Sequence, residues 1–380
     1  MKKVLLALLS TSLLLFSCST KKNETIVLTK SGLDKTKFQA DVDGKKTNLY
    51  TLTNANGMEV CITNFGGRIV SIMVPDKSGN MIDVVLGFDS IQDYINVPSD
   101  FGASIGRYAN RIAHAKFELD GTAYELTPNN FGHSLHGGPK GYQYQVFDAN
   151  PIDNQTLELT YLAKDGEEGF PGNLNNKVVF TLTDNNEIKI DYEAVTDKPT
   201  VINLTNHSYF NLTGDANNNN ADWLISINAD SYTPIDSTFA TTGEILPVEG
   251  TVMDFRTPVA IGANIDADDQ QTINGNGYDH NWALNTQGDV SQVAATLTAP
   301  STGVKLEVLT TEPGIQFYTA NFLDGTVTGK NEIVYNKRVA VCLETQKYPD
   351  SPNKKDWPSA TLRPGETYKS QTIFRFSTEK

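Results

Sequence analysis

The residues able to do proton chemistry are few, and their settings differ. Five histidines occur in the chain: His114, His133, His136, His207 and His280. His136 lies in Ser134-Leu135-His136-Gly137-Gly138-Pro139, where Gly-Gly-Pro imposes a loop and leaves the imidazole no regular element to pack into. His207 ends a strand-like run, Asn203-Leu204-Thr205-Asn206-His207, and a satisfied structural histidine is the bland reading of either position. Glu344 follows the apolar run Val339-Ala340-Val341-Cys342-Leu343. Its carboxylate therefore emerges at a strand end, paired with an arginine, or inside a pocket where desolvation would raise its pKa toward that of a general base. Asp279 sits in Gly275-Asn276-Gly277-Tyr278-Asp279-His280-Asn281-Trp282, a Gly-rich loop with two aromatics, the mixture that grips sugar hydroxyls and stacks on ring faces. Two other patterns carry less. Gly102-Ala103-Ser104-Ile105-Gly106 has the spacing of a nucleophile elbow, but no helix periodicity or βαβ context follows it. His133 and His136 have no third ligand at zinc-like spacing, so no metal site is expected.

The elements that must position these groups read as strands. Thr156-Leu157-Glu158-Leu159-Thr160-Tyr161 alternates with period two. Val178 to Leu182 and Glu187 to Tyr192 form a hairpin about Asp184-Asn185-Asn186, and Asp120-Gly121 joins two short strands. Val304 to Leu309 and Thr372 to Phe376 follow the same grammar. Many short strands over more than 300 residues, with little sign of helix and no fixed repeat, predict an all-β fold: one large antiparallel β-sandwich or barrel. At 380 residues the chain can bury roughly three quarters of its unfolded surface.

A net charge of −14, with no basic run longer than a Lys pair, excludes a nucleic-acid partner and suits a neutral small ligand. Met1-Lys2-Lys3 and the apolar run to Phe16 predict a signal peptide over residues 1–17. Leu15-Phe16-Ser17-Cys18 resembles a bacterial lipobox, which implies lipidation of Cys18 and an exported protein anchored to a membrane, on the periplasmic or outer-membrane face of a bacterium. The polar residues 18–46 read as a tether, and the folded domain is expected over 47–380. Cys61 and Cys342 lie in apolar strand-like runs and are expected as buried free thiols, although an oxidising compartment would permit one bridge.

Six segments then appear in one order: Gly106-Arg107-Tyr108-Ala109-Asn110-Arg111-Ile112, Asn130 through Gly138, Asn203 through Leu212, Tyr278-Asp279-His280, Glu312-Pro313-Gly314-Ile315-Gln316-Phe317-Tyr318, and Leu343-Glu344-Thr345-Gln346-Lys347-Tyr348-Pro349-Asp350. Together with Thr63-Asn64-Phe65-Gly66-Gly67 and Asp83 through Asp89 they resemble the aldose 1-epimerase (galactose mutarotase) family from about Tyr50 to Phe376. The resemblance implies that family's galactose mutarotase-like supersandwich, with residues 47–380 as the aldose 1-epimerase domain. It also implies α/β interconversion of free hexoses such as galactose and glucose. By resemblance Glu344 is the general base and His207 the general acid, while Asn110, Arg111, His136, Tyr209, Asp279 and Gln316 hold the sugar's hydroxyls. An anionic Glu344 is expected to raise the pKa of His207. No cofactor is implied; the partners expected are a free monosaccharide and the lipid anchor, and the chain is expected to be a monomer. Other classes remain on the table: a catalytically silent exported sugar-binding protein on the same scaffold, a glycoside hydrolase using Glu344 and Asp279, and a sugar-phosphate epimerase, which export and the lack of an Arg/Lys cluster disfavour.

Overall fold

The structure is a computed structural model that describes residues 27–379. The period-two segments form a nine-stranded sheet in the order Asp148–Pro151, Thr156–Ala163, Leu174–Leu182, Glu187–Thr196, Tyr368–Thr378, Val304–Thr310, Ala295–Ala299, Leu224–Ile227 and Val259–Ala260. Neighbours in it pair antiparallel, and the Asp184-Asn185-Asn186 turn sets the register Leu182↔Ile188. A five-stranded sheet (Leu246–Pro247, Ser231–Thr233, Asp279–Ala283, Gly314–Tyr318, Cys342–Gln346) and a four-stranded one (Leu49–Thr53, Glu59–Thr63, Arg68–Pro75, Met81–Asp83) complete the antiparallel supersandwich.

Alternation explains why these sheets stack. Leu157, Leu159, Phe180, Ile188, Ile190, Leu306, Val308 and Phe374 of the large sheet meet Trp282, Ile315, Phe317 and Leu343 of the five-stranded sheet in one cluster that also takes in Val60, Ile62 and Ile72. Each fully buried side chain of this size contributes about 1.5–3 kcal/mol. Cys61 and Cys342 are buried free thiols on separate sheets, as expected from their apolar flanks.

Three features depart from the sequence reading. Two short α-helices exist, Ile91–Asn96 and Gln270–Gly275, capped by Ser90 and Asp269. Six residues are too few for amphipathic periodicity to register, so only the caps marked them. Gly275 and Asn276 close the second helix, Asn276 in the left-handed region, so Asp279 begins a strand and does not belong to a loop. The third departure is the 18–46 tether, which does not extend through residues 27–46. Lys35–Phe38 forms a 3₁₀ turn capped by Asp34, and Asp41–Val42 pairs with Lys45–Lys46. Leu33 and Phe38 are buried against Leu49, Cys61 and Phe65, and the Lys30 amide donates to Glu59 at 2.6 Å. Leu33 and Phe38, with Ala40 and Val42 packed beside them, dock it. The signal peptide and Cys18 lie outside the described residues.

This docking is testable. Phe38→Ala should lower the unfolding free energy by about 3–5 kcal/mol in urea titrations. Had residues 27–46 been a free tether, the change would be negligible.

Candidate active site

The five-stranded sheet positions three of the singled-out side chains. Gln316 pairs with Glu344 and with Asn281, and Asp279 pairs with Tyr318. Because strand residues two apart share a face, Asp279, Asn281, Gln316, Tyr318, Glu344 and Gln346 form one row. The opposite row, Trp282, Ile315, Phe317 and Leu343, goes into the core. His207 ends the short strand Thr205–His207, which pairs with Ala103–Ile105. Gly102 donates its amide to the His207 carbonyl at 2.9 Å, with φ of +67° and no room for a Cβ, which would lie 1.9 Å from the Ile69 carbonyl oxygen. The elbow-like Gly102-Ala103-Ser104-Ile105-Gly106 thus serves as a close-packed strand, and Ser104 Oγ donates to the Gly67 carbonyl.

Asn110 and His136 come from two loops that lock together. Both take positive φ, 60° and 52°. The His136 amide donates to the Asn110 carbonyl at 3.0 Å, and the Asn110 amide donates to His136 Nδ1 at 3.1 Å. Asn110 Oδ1 accepts the Arg111 amide, Arg111 Nη2 donates to Asn130 Oδ1, and the guanidinium lies 5.0 Å over the Phe239 ring.

These groups line one cavity of about 280 Å³: Asn110, Arg111, His136, His207, Tyr209, Asp279 and Glu344 all face it. His207 Nε2 lies 3.5 Å from Glu344 Oε1, with His207 4% and Glu344 2% exposed. The His207 ring stacks on Tyr209 at 5.0 Å and meets His136 edge-on at 5.1 Å. Gln316 is the exception among the expected sugar ligands. It does not line the cavity; it lies behind Asp279 and donates to Asp279 Oδ1 at 2.7 Å, while Gln346 donates to Gln316. Its alternation with Tyr318, which does line the cavity, was the readable sign that this strand face mattered. Asp100, Phe131, Phe239 and Phe322 also line the cavity without having been singled out. Phe131 and Phe322 are 63% and 52% exposed at its mouth, each packed on Phe239.

Burial dominates the electrostatics. It pushes the Glu344 carboxyl well above its ordinary range, reinforced by the charges of Asp279 and Asp100 and opposed by Arg111. It also raises Asp279, against Arg111 and the Gln316 hydrogen bond. His207 is lowered by burial, against the expectation that Glu344 would raise it. The reason is reciprocal: a carboxyl that is itself desolvated tends to keep its proton and offers its neighbour no full anion. His136 is held well below 6.5 by burial and by His207 and Arg111.

Among the described residues one metal-like cluster occurs, since ligand atoms of Asp100, His136 and His207 lie within 4.8 Å of one another. His136 fits it poorly. Its Nδ1 is committed to accepting the Asn110 amide, so in the neutral ring Nε2 carries the hydrogen and would have to lose it to ligate. His133, whose Nδ1 accepts the His114 amide and whose Nε2 meets Thr238, is structural and not paired with His136 on any ion. His280 is likewise structural: Nδ1 accepts the Asp279 amide.

The aldose 1-epimerase family pattern matches residues 48–375. The chain belongs to the aldose 1-epimerase family. It is 43% identical to human galactose mutarotase over 320 residues, 84% of this chain and 91% of that protein. To the aldose 1-epimerase of Escherichia coli K12 it is 39% identical over 342 residues, 89% and 97% of the two chains. The fold of this family member superposes on the aldose epimerase homologue from C. elegans with a TM-score of 0.82 at 30% identity, covering 88% of this chain and all of that one. It superposes on galactose 1-epimerase from Lactobacillus acidophilus with a TM-score of 0.80 at 29% identity, covering 90% and 97%.

Burial lowers the His280 pKa to about 3. A histidine depressed in the folded state binds more protons when unfolded, so it contributes stability above about pH 6.5 that is lost as pH falls from there toward 3. In ¹⁵N NMR the His280 ring should stay neutral from pH 8 to pH 5; titration near 6.5 would contradict the buried placement.

Proposed function

We propose that this protein is an aldose 1-epimerase that interconverts the α and β anomers of free hexoses such as galactose and glucose. The observation that carries the reading is the Glu344–His207 pair, 3.5 Å apart in a cavity built from the family's segments. Mutarotation opens a cyclic hemiacetal. Glu344 takes the proton of the anomeric hydroxyl while His207 gives one to the ring oxygen; the bond between the anomeric carbon and that oxygen breaks, and an aldehyde forms. The aldehyde turns about the bond to the next carbon and the ring closes on its other face, with Glu344 now giving its proton and His207 taking one. Asn110, Arg111, His136, Tyr209 and Asp279 surround the remaining hydroxyls, and Gln316 acts through Asp279.

The perturbed acidities bear on both ends of this cycle: burial disfavours the charged form that starts ring opening and favours the form that ring opening produces. Carboxylate with imidazolium and carboxyl with neutral imidazole are two forms of a pair that holds one proton, and burial favours the second. The second form is also the one present when the ring is open. Reaction in water is spontaneous, and a positioned acid and base each supply about 10²–10⁴ in rate, which suffices without covalent catalysis. A silent sugar-binding protein would not require such a pair. A glycosidase would require a second carboxylate as partner, whereas the neighbour of Glu344 is His207, and Asp279 is tied to Gln316.

The leader and Cys18 support an exported lipoprotein whose epimerase domain stands at a bacterial membrane.

Polarimetry of freshly dissolved α-D-galactose and α-D-glucose should show faster decay to equilibrium rotation with the protein. Glu344→Gln and His207→Asn should each lower kcat by about 10²–10⁴, with the double variant little worse than either single one because the pair acts as a unit. Near-normal turnover by either variant would remove that residue from its role. Cys18→Ser, expressed in a bacterial host, should move the protein from the membrane fraction to the soluble fraction; continued membrane association would refute the anchor.

A further inference from the structure

Asp100 belongs to none of the segments that define the family resemblance, yet it faces the sugar cavity. Its Oδ1 is shielded from solvent and has no hydrogen-bond partner, and no lysine or arginine among the described residues lies within ion-pair distance of it. An acceptor left in this state is destabilising, more so for a charged group, unless something donates to it. The protein holds it there by construction. Arg68, fully buried with its guanidinium 5.0 Å over the Tyr94 ring, donates to the Ser99 and Phe101 carbonyls on either side of Asp100. The Asp100 carbonyl accepts the Ala103 amide, and Gly102 is bonded to the His207 backbone. The Asp100 carboxylate is therefore registered to the general acid through the Ala103 and Gly102 amides, with a side-chain oxygen within 4.8 Å of ring nitrogens of both His207 and His136. His207 Nε2 meets Glu344 and His136 Nδ1 accepts the Asn110 amide; neither ring is hydrogen-bonded to Asp100, and because Asp100 lines the cavity a donor can reach its open oxygen from there.

We infer that Asp100 is a specificity-determining residue, an acceptor-only carboxylate whose shielded oxygen takes the hydrogen of one non-anomeric hydroxyl of the sugar. This rests on the mutarotase reading and names which group selects the substrate. A site built to accept a particular hydroxyl discriminates strongly against the analogue that lacks it, because the acceptor is then left unpaired. A carboxylate acceptor also holds the sugar at a fixed distance from His207, so its loss affects positioning of the ring oxygen.

The test uses the full-length protein, the better of galactose or glucose, and the set of deoxy analogues lacking one non-anomeric hydroxyl each. Wild type should handle one analogue about 10–100-fold worse in kcat/KM than the parent sugar, the range for a hydrogen bond to a charged group. Asp100→Ala should lose a similar factor on the parent sugar and no longer distinguish that analogue from it, while its penalties for the other analogues stay as in wild type. Asp100→Asn keeps the shape and a weaker acceptor, so it should give an intermediate penalty for the same analogue, and it decides the matter if the alanine variant fails to fold. Unchanged discrimination in the folded variants would overturn the assignment. So would an altered pH profile with the deoxy pattern intact, which would mean that Asp100 acts only through the charge of His207. Failure of the wild type to accelerate any sugar is a different result and would strike the mutarotase reading itself.

Discussion

The structure depends on a sheet that is buried on both faces for opposite reasons. In the strands Gly314–Tyr318 and Cys342–Gln346 every residue is buried, although alternate residues are apolar and polar. Trp282, Ile315, Phe317 and Leu343 hold one face to the nine-stranded sheet. The other face would be costly to desolvate unless its polar groups satisfied one another. They do so as a relay: Gln346 donates to Asn281 and Gln316, and Gln316 donates to Asp279. The relay stops at the cavity, where Glu344 Oε2 and His207 Nδ1 have no partners. Bonded behind, save for Gln346 Oε1, and unbonded in front, the polar row is braced where it supports and open where a sugar would enter.

The second half of the site is held by loops, and there rigidity comes from reciprocal bonding. Asn110 and His136 each sit at positive φ, a backbone state that costs of order 1–3 kcal/mol for residues other than glycine. The two bonds between them, one from each backbone amide, close a small ring that makes each conformation depend on the other. That ring also fixes which nitrogen of His136 bears hydrogen, so the loop presents a donor toward the cavity. Gly137 is needed beside it, because a Cβ there would lie 2.0 Å from the Gly106 carbonyl oxygen. The Gly-Gly that identified this segment as a loop therefore brings the His136 loop against the loop 106–110 that leads into the strand Arg111–Ile112.

Which parts were legible in the sequence follows from the range of each signal. Period-two alternation is local, and it located the long strands and the hairpins about Asn185 and Gly121. The roles implied by the family's ordered segments picked out seven of the cavity residues. What alternation and motif could not carry is contact at long separation. Gln316 and Asp279 are on neighbouring strands 37 residues apart, so the sequence could not show that one stands behind the other. Asp100 reaches His207 only through the turn at Gly102. Leu33 and Phe38 looked like members of a polar tether because their binding surface, formed by Leu49, Cys61 and Phe65, lies in later strands. The acidity of His207 was misjudged for the same reason: pairwise charge was visible, and the burial that outweighs it was not.

That burial is compatible with acid–base work because of how the reaction balances. A buried pair exchanges protons with solvent slowly and at a desolvation cost, which would burden an enzyme that had to reset its protonation state between turnovers. Mutarotation makes no such demand. On the proposed mechanism, ring opening moves one proton onto Glu344 and one away from His207, and ring closure on the other face reverses both, so the pair ends each turnover as it began, having taken no proton from water. A catalytic pair buried at the floor of a cavity lined by Tyr209 and Tyr318 therefore lacks nothing it needs for want of a proton path to solvent. The same burial strengthens hydrogen bonds from these side chains to the sugar. Catalysis and substrate selection then draw on one physical cause, the desolvation of a polar strand face.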